Sequence, residues 1–107
     1  MDNPSPFLRL VVNGEERTLA ASGVERLSSI LRDKLGLIGT KIGCEAGDCG
    51  ACTVLIDGAP ACACLIAAGQ VEGASIVTIE GIAAATSSGA RLIEAFHAAG
   101  AAQCGAC

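Results

Sequence analysis

The apolar run Phe7-Leu8-Arg9-Leu10-Val11-Val12 predicts a strand, and Asn13-Gly14, two residues that tolerate positive φ, predict a hairpin turn into a returning strand over residues 15–20. The period then changes. Val24, Leu27, Leu31 and Leu35 recur at helical spacing, behind the Ser-x-x-Glu capping-box pattern of Ser22-Gly23-Val24-Glu25 and ahead of Gly36, which can close a helix in the left-handed conformation. One amphipathic helix is expected over residues 24–35. Residues 42–52 carry neither period and are rich in glycine, which predicts a loop. Two short strands, 53–56 and 61–65, are expected around a turn at Asp57-Gly58-Ala59-Pro60, with a further strand over the β-branched residues 75–79. The small, polar stretch 83–89 resembles a linker. A second helix is expected over residues 90–99, with Leu92, Ala95, Phe96 and Ala99 on one face, Gly100 as its stop, and His97 placed to complement the dipole at its C-terminal end. There is no internal repeat.

At 107 residues the chain makes one domain with a modest core and at most a short appendage, which leaves no room for an independent catalytic domain. Its 51% apolar content describes a packed chain. Phe7 and Phe96 are the only aromatic residues and the net charge is −4, so stacking platforms and phosphate-binding charge are both lacking and nucleic acid is not an expected partner. Met1-Asp2-Asn3-Pro4-Ser5-Pro6 has no signal-peptide character, and no apolar run is long enough for a membrane span. A cytoplasmic protein is expected. In a reducing compartment seven cysteines, an odd number, point to metal ligation before disulfides. No nucleophile and base arrangement and no phosphate-binding glycine loop is present, so no catalytic residue is expected.

Cys44-x4-Cys49-x2-Cys52 has the spacing of plant-type [2Fe-2S] centres, which take a fourth cysteine from elsewhere in the chain. The surrounding Gly43, Ala46, Gly47, Gly50 and Ala51 suit a loop that wraps closely and turns its N–H groups inward around an anionic group. Cys62 and Cys64, two residues apart on the same side of the expected strand, both qualify as the fourth ligand. A zinc site is the competing reading of the set, although zinc more often uses paired Cys-x2-Cys knuckles. Glu45 and Asp48 read as solvated loop charges, and Lys41 as a surface lysine or an offset to cluster charge.

Thr40-Lys41-Ile42-Gly43-Cys44-Glu45-Ala46-Gly47-Asp48-Cys49-Gly50-Ala51-Cys52-Thr53-Val54, followed by Asp57-Gly58, Cys64-Leu65, Thr78-Ile79-Glu80-Gly81 and Gln103-Cys104-Gly105, resembles the iron-sulfur subunit or domain of the xanthine oxidase family of molybdenum hydroxylases. The resemblance covers nearly the whole chain. It implies an α+β fold: a β-grasp, plant-type ferredoxin-like domain over residues 1–82, then over 83–107 a linker and the first helix of an incomplete helical domain. It selects Cys64, just before a leucine, as the fourth ligand beside Cys44, Cys49 and Cys52, and leaves Cys62 as a small apolar filler. It makes Cys104 and Cys107 the first two ligands of a second [2Fe-2S] cluster and sets Gln103 against the pterin of the molybdenum cofactor. Two departures mark the end of the chain: Ala106 stands where the family usually has phenylalanine, and the Cys-x-Cys that completes the second site is not present. A partial sequence is the expected explanation, a natural one-cluster short form the alternative.

The function implied is one-electron relay from the molybdenum cofactor (molybdopterin) of one partner subunit to FAD in another, with no substrate chemistry in this chain. A freestanding ferredoxin and a structural zinc-binding module are the competing readings.

Overall fold

A computed structural model describes residues 7–104. Strands β1 (Phe7–Val12) and β2 (Glu15–Ala20) form the expected hairpin about Asn13 and Gly14, whose φ values of 51° and 80° match a two-residue turn. β3 (Thr53–Ile56) and β4 (Ala59–Cys62) form a second hairpin about Asp57 and Gly58. β5 (Ser75–Val77) lies parallel to β1 and antiparallel to β3, giving a five-stranded mixed sheet of order β2-β1-β5-β3-β4. Pro60 removes a ladder donor, but β4 is an edge strand, where that loss is tolerated.

The alternation in β1 sends Leu8, Leu10 and Val12 into the core, where they meet Val54, Ile76, Leu27, Ile30 and Leu31. Each fully buried aliphatic side chain contributes about 1.5–3 kcal/mol. This α+β arrangement, a sheet closed over one helix, is the ferredoxin-like β-grasp expected from the resemblance.

Four local expectations are corrected. Helix α1 begins at Leu27 and not at residue 24: it runs over Leu27–Ser29 and continues as a π-helical turn over Ile30–Lys34. The residues before it are held extended by pairing with a distant segment, through Leu27 N–H to the Ile66 carbonyl at 2.8 Å and Ala68 N–H to the Glu25 carbonyl at 2.9 Å. Ser22 and Glu25 therefore cap a turn, the Ser22 N–H reaching the Glu25 carboxylate at 2.9 Å, and Val24 is 83% exposed. Gly36 does close the helix with φ of 70°.

β4 stops at Cys62, and Ala63–Leu65 tighten into a 3₁₀ turn instead of extending the strand. Likewise β5 ends at Val77, and Ile79–Gly81 form a 3₁₀ turn. The stretch read as a linker is helical: α2 (Ile82–Ala85) uses the strong helix formers of the alanine run, and α3 (Ser87–Ala99) starts three residues earlier than expected. Thr86 separates them because it is extended, and its Oγ1 caps α3 by accepting from Gly89 N–H at 2.8 Å. Gly100 ends α3 at φ 61°. Leu92 and Phe96 of its apolar face are 59% and 55% exposed.

Candidate metal centre

The loop between α1 and β3 is shaped from both ends. Arg32 Nη1 donates to the Ile38 and Thr40 carbonyls at 2.9 Å each, and Lys41 N–H donates to the Ala51 carbonyl at 3.1 Å. Between these ties Glu45, Gly47 and Gly50 take φ of 53°, 76° and 71°, which rolls the backbone so that its N–H groups face inward. Three of them, from Ala46, Asp48 and Cys49, donate to Cys44 Sγ at 3.3, 3.2 and 3.3 Å. Ala51 N–H donates to Cys49 Sγ at 3.4 Å. Across the β3–β4 hairpin, Cys64 N–H donates to Cys52 Sγ at 3.4 Å, and both of these side chains are buried.

The N–H groups of Cys49, Ala46 and Asp48 favour a charged sulfur and, against a small opposing effect of burial, lower the Cys44 thiol from 9.0 to about 7. Burial pushes the Cys64 thiol up, reinforced by its side-chain contact with Cys52, while the Gly47 N–H works the other way. In the metal-free chain Cys44 is expected to be the first thiol alkylated by iodoacetamide, with a rate that climbs through about pH 7 and then levels. Mass mapping of the labelled peptides checks this. Uniformly slow labelling until about pH 9, the ordinary thiol value, would show that the loop N–H groups do not act on that sulfur.

The thiols stand as two neighbouring pairs, Cys44 with Cys49 and Cys52 with Cys64, each in side-chain contact. Among the described residues no three His, Cys, Asp or Glu side chains gather about a single ion position. A two-iron cluster takes two thiolates per iron, and the two thiol pairs match that donor set. The space is equally close: a Cβ on Gly43 would stand 2.7 Å from Cys49 Sγ.

Cys62, expected to share a side with Cys64, does not. It is half-buried at the end of β4 with Sγ 4.0 Å from the Gly47 carbonyl, while the 3₁₀ turn carries Cys64 into the interior. Glu45 is not simply solvated, since it pairs with Arg26 Nη1 at 3.0 Å, and Asp48 contributes its N–H. Arg26, Arg32 and Glu80 all bear on the loop from other elements; no local pattern in the sequence marks the two arginines, and Glu80 stands only within the Thr78-Ile79-Glu80-Gly81 motif, with no role attached. Gln103 and Cys104 are exposed and line an open apolar groove with Ile79, Leu92 and Phe96, to which no residue of the cysteine loop contributes. Cys107 lies outside the described residues. All described cysteines are free, and no described helix is long and apolar enough to cross a membrane.

A family model described as "2Fe-2S iron-sulfur cluster binding domain" matches residues 10–99. The chain is 41% identical over 100 residues to the nicotinate dehydrogenase small FeS subunit of Eubacterium barkeri, covering 94% of this chain and 63% of that protein. It is 46% identical over 103 residues to caffeine dehydrogenase subunit gamma of Pseudomonas sp. strain CBB1, covering 96% and 61%. Among solved structures it resembles quinoline 2-oxidoreductase from Pseudomonas putida 86, with a TM-score of 0.78 and 42% identity over 94% of this chain and 63% of the other. The chain thus spans a little over three-fifths of these relatives' lengths.

Proposed function

Since this chain belongs to the 2Fe-2S iron-sulfur cluster binding domain family, we propose that Cys44, Cys49, Cys52 and Cys64 hold one [2Fe-2S] cluster and that the chain is the electron-transfer part of a molybdenum-containing oxidoreductase. The observation that carries the reading is the set of three backbone N–H groups on Cys44 Sγ, beside four thiols that stand as two pairs, Cys44 with Cys49 and Cys52 with Cys64. When bound, the cluster supplies one-electron redox chemistry.

The chain's own residues do the rest. Inward N–H groups of Ala46, Asp48, Cys49 and Ala51 stabilise negative charge on sulfur and so favour the more anionic, reduced state. Burial of Cys52 and Cys64 keeps water from one side, while Cys44 and Cys49 stay exposed on the other. That asymmetry gives electrons a short way in or out at the Cys44 edge.

Molybdopterin and FAD belong, on this reading, to partner subunits, as the resemblance implies; that such partners exist fits relatives that are themselves subunits of dehydrogenases. Residues 1–82 form the cluster domain. Residues 83–107 begin a helical unit in which Cys104 and Cys107 start a second cluster site and Gln103 faces the pterin. A cytoplasmic location suits cysteines that must stay reduced until loaded.

Anaerobically purified protein should be red-brown, with about two irons and two sulfides per chain. It should give an EPR signal on reduction that survives Cys104→Ser. Colourless protein, or protein carrying a single zinc, would overturn the reading in favour of a structural module.

A further inference from the structure

A chain of hydrogen bonds lies where the helical segment leaves the sheet. Asn13 accepts from Thr78 N–H through Oδ1 and donates to Thr78 Oγ1 through Nδ2, both at 2.9 Å. The Thr78 hydroxyl donates to Glu80 Oε1 at 2.8 Å, and Glu80 Oε2 accepts from Gly39 N–H at 2.7 Å. Thr78 is 1% exposed. Two glycines let these segments meet: a Cβ on Gly81 would overlap Asn13, and one on Gly39 would overlap Ile79 and stand 2.8 Å from Glu80 Oε2. Gly81 has φ of −108°, so close approach, not backbone conformation, is what requires glycine there.

The chain thereby ties three places together: the β1–β2 turn, the 3₁₀ turn at Ile79–Gly81, and Gly39 on the approach to Cys44. Beyond the 3₁₀ turn α2 packs on that turn and on α3, while Leu92 and Phe96 of α3 stay exposed, so the helical segment rests mainly on its root and not on the sheet. A segment held chiefly at its root takes its direction from that root.

We propose that Glu80 is a positioning residue that locks the Ile79–Gly81 joint to Gly39 and so fixes the orientation of α2 and α3 relative to the cysteine loop. Partial burial disfavours its charge, but the Gly39 N–H, the Thr78 hydroxyl, its own N–H and Lys41 outweigh that, and the carboxyl stays below its usual value. The consequence for electron relay, a constant separation between the Cys44 loop and the Gln103-Cys104 end, rests on the function proposed above. The lock itself does not.

The test is NMR of the full chain, with residual dipolar couplings from the sheet and from α3. In the unaltered protein one alignment tensor should fit both. Glu80→Ala should leave the strand shifts in place while the α3 couplings depart from the sheet's tensor, and should speed exchange of the Gly39 amide about tenfold. Glu80→Gln, which keeps one carbonyl acceptor for Gly39, should restore the common tensor. If α3 and the sheet still share a tensor in Glu80→Ala, the proposal is wrong. Should that variant not fold, Glu80→Asp keeps the charge but is one methylene too short to reach the Thr78 hydroxyl and the Gly39 N–H together; it must uncouple α3, and a shared tensor there overturns the proposal equally. No iron or partner is needed for the measurement, so protein found to lack a cluster would defeat the relay reading and leave this result standing.

Discussion

Changing Cys64 to serine should strip most of the iron from the protein, while the same change at Cys62 should leave iron and colour in place. The two cysteines are equivalent in spacing to a strand reading but not in the structure. Cys64 is 4% exposed, donates its N–H to Cys52 Sγ and has Cys44 near enough to influence its ionisation. Cys62 remains on β4, half-buried against the core, with its Sγ 4.0 Å from the Gly47 carbonyl, a distance typical of a weak S–H contact. Serine matches cysteine closely in size, so a loss specific to Cys64→Ser reports ligation and not packing. Iron and sulfide assays with EPR on both variants decide it: about two irons per chain should remain in Cys62→Ser and well under one in Cys64→Ser. The reverse pattern would exchange the two assignments.

Gly43→Ala should fold without iron but fail to load it, cutting iron content to less than half. Gly43 is not at positive φ, so alanine carries no backbone penalty there. The cost is spatial. The new Cβ would stand 2.7 Å from Cys49 Sγ. In the metal-free chain that sulfur can swing aside. Once it is bonded to iron it cannot, and the clash falls wholly on the loaded state. Gly58→Ala is the control, at φ 86° with nothing within 4 Å. It should cost about 1 kcal/mol of stability through backbone strain and keep its iron. Thermal unfolding of the metal-free proteins, beside iron assays after reconstitution, separates the two outcomes. Equal loading of both variants would show that the loop is roomier than the structure indicates.

Much of the architecture was legible from local pattern. The hairpin at Asn13-Gly14 forms as read, and the second turn forms at Asp57-Gly58 but is two residues shorter than expected, because Ala59 and Pro60 pair with β3 as part of β4. The loop at 42–52 announced itself through glycine and cysteine spacing, and its inward N–H groups follow from backbone angles those residues permit. The errors cluster where a remote segment competes for the same backbone. Val24 had the right period for a helix, yet pairing with residues 66–68 holds the preceding backbone extended and leaves Val24 in water. The polar stretch at 83–89 looked like a linker because composition says nothing about caps, and the Thr86 hydroxyl makes it a helix start.

Local chemistry by itself determined which thiols could form a cluster loop and where the chain must turn, because φ preference and ligand spacing are properties of a few consecutive residues. Spacing left Cys62 and Cys64 equivalent and the resemblance favoured Cys64, but only the tertiary structure showed the turn that parts them, joined Glu45 to Arg26, and brought Glu80 to Gly39 across 41 positions. Those pairings depend on how the sheet closes over α1, and long-range packing leaves no periodic mark in the residues that make it.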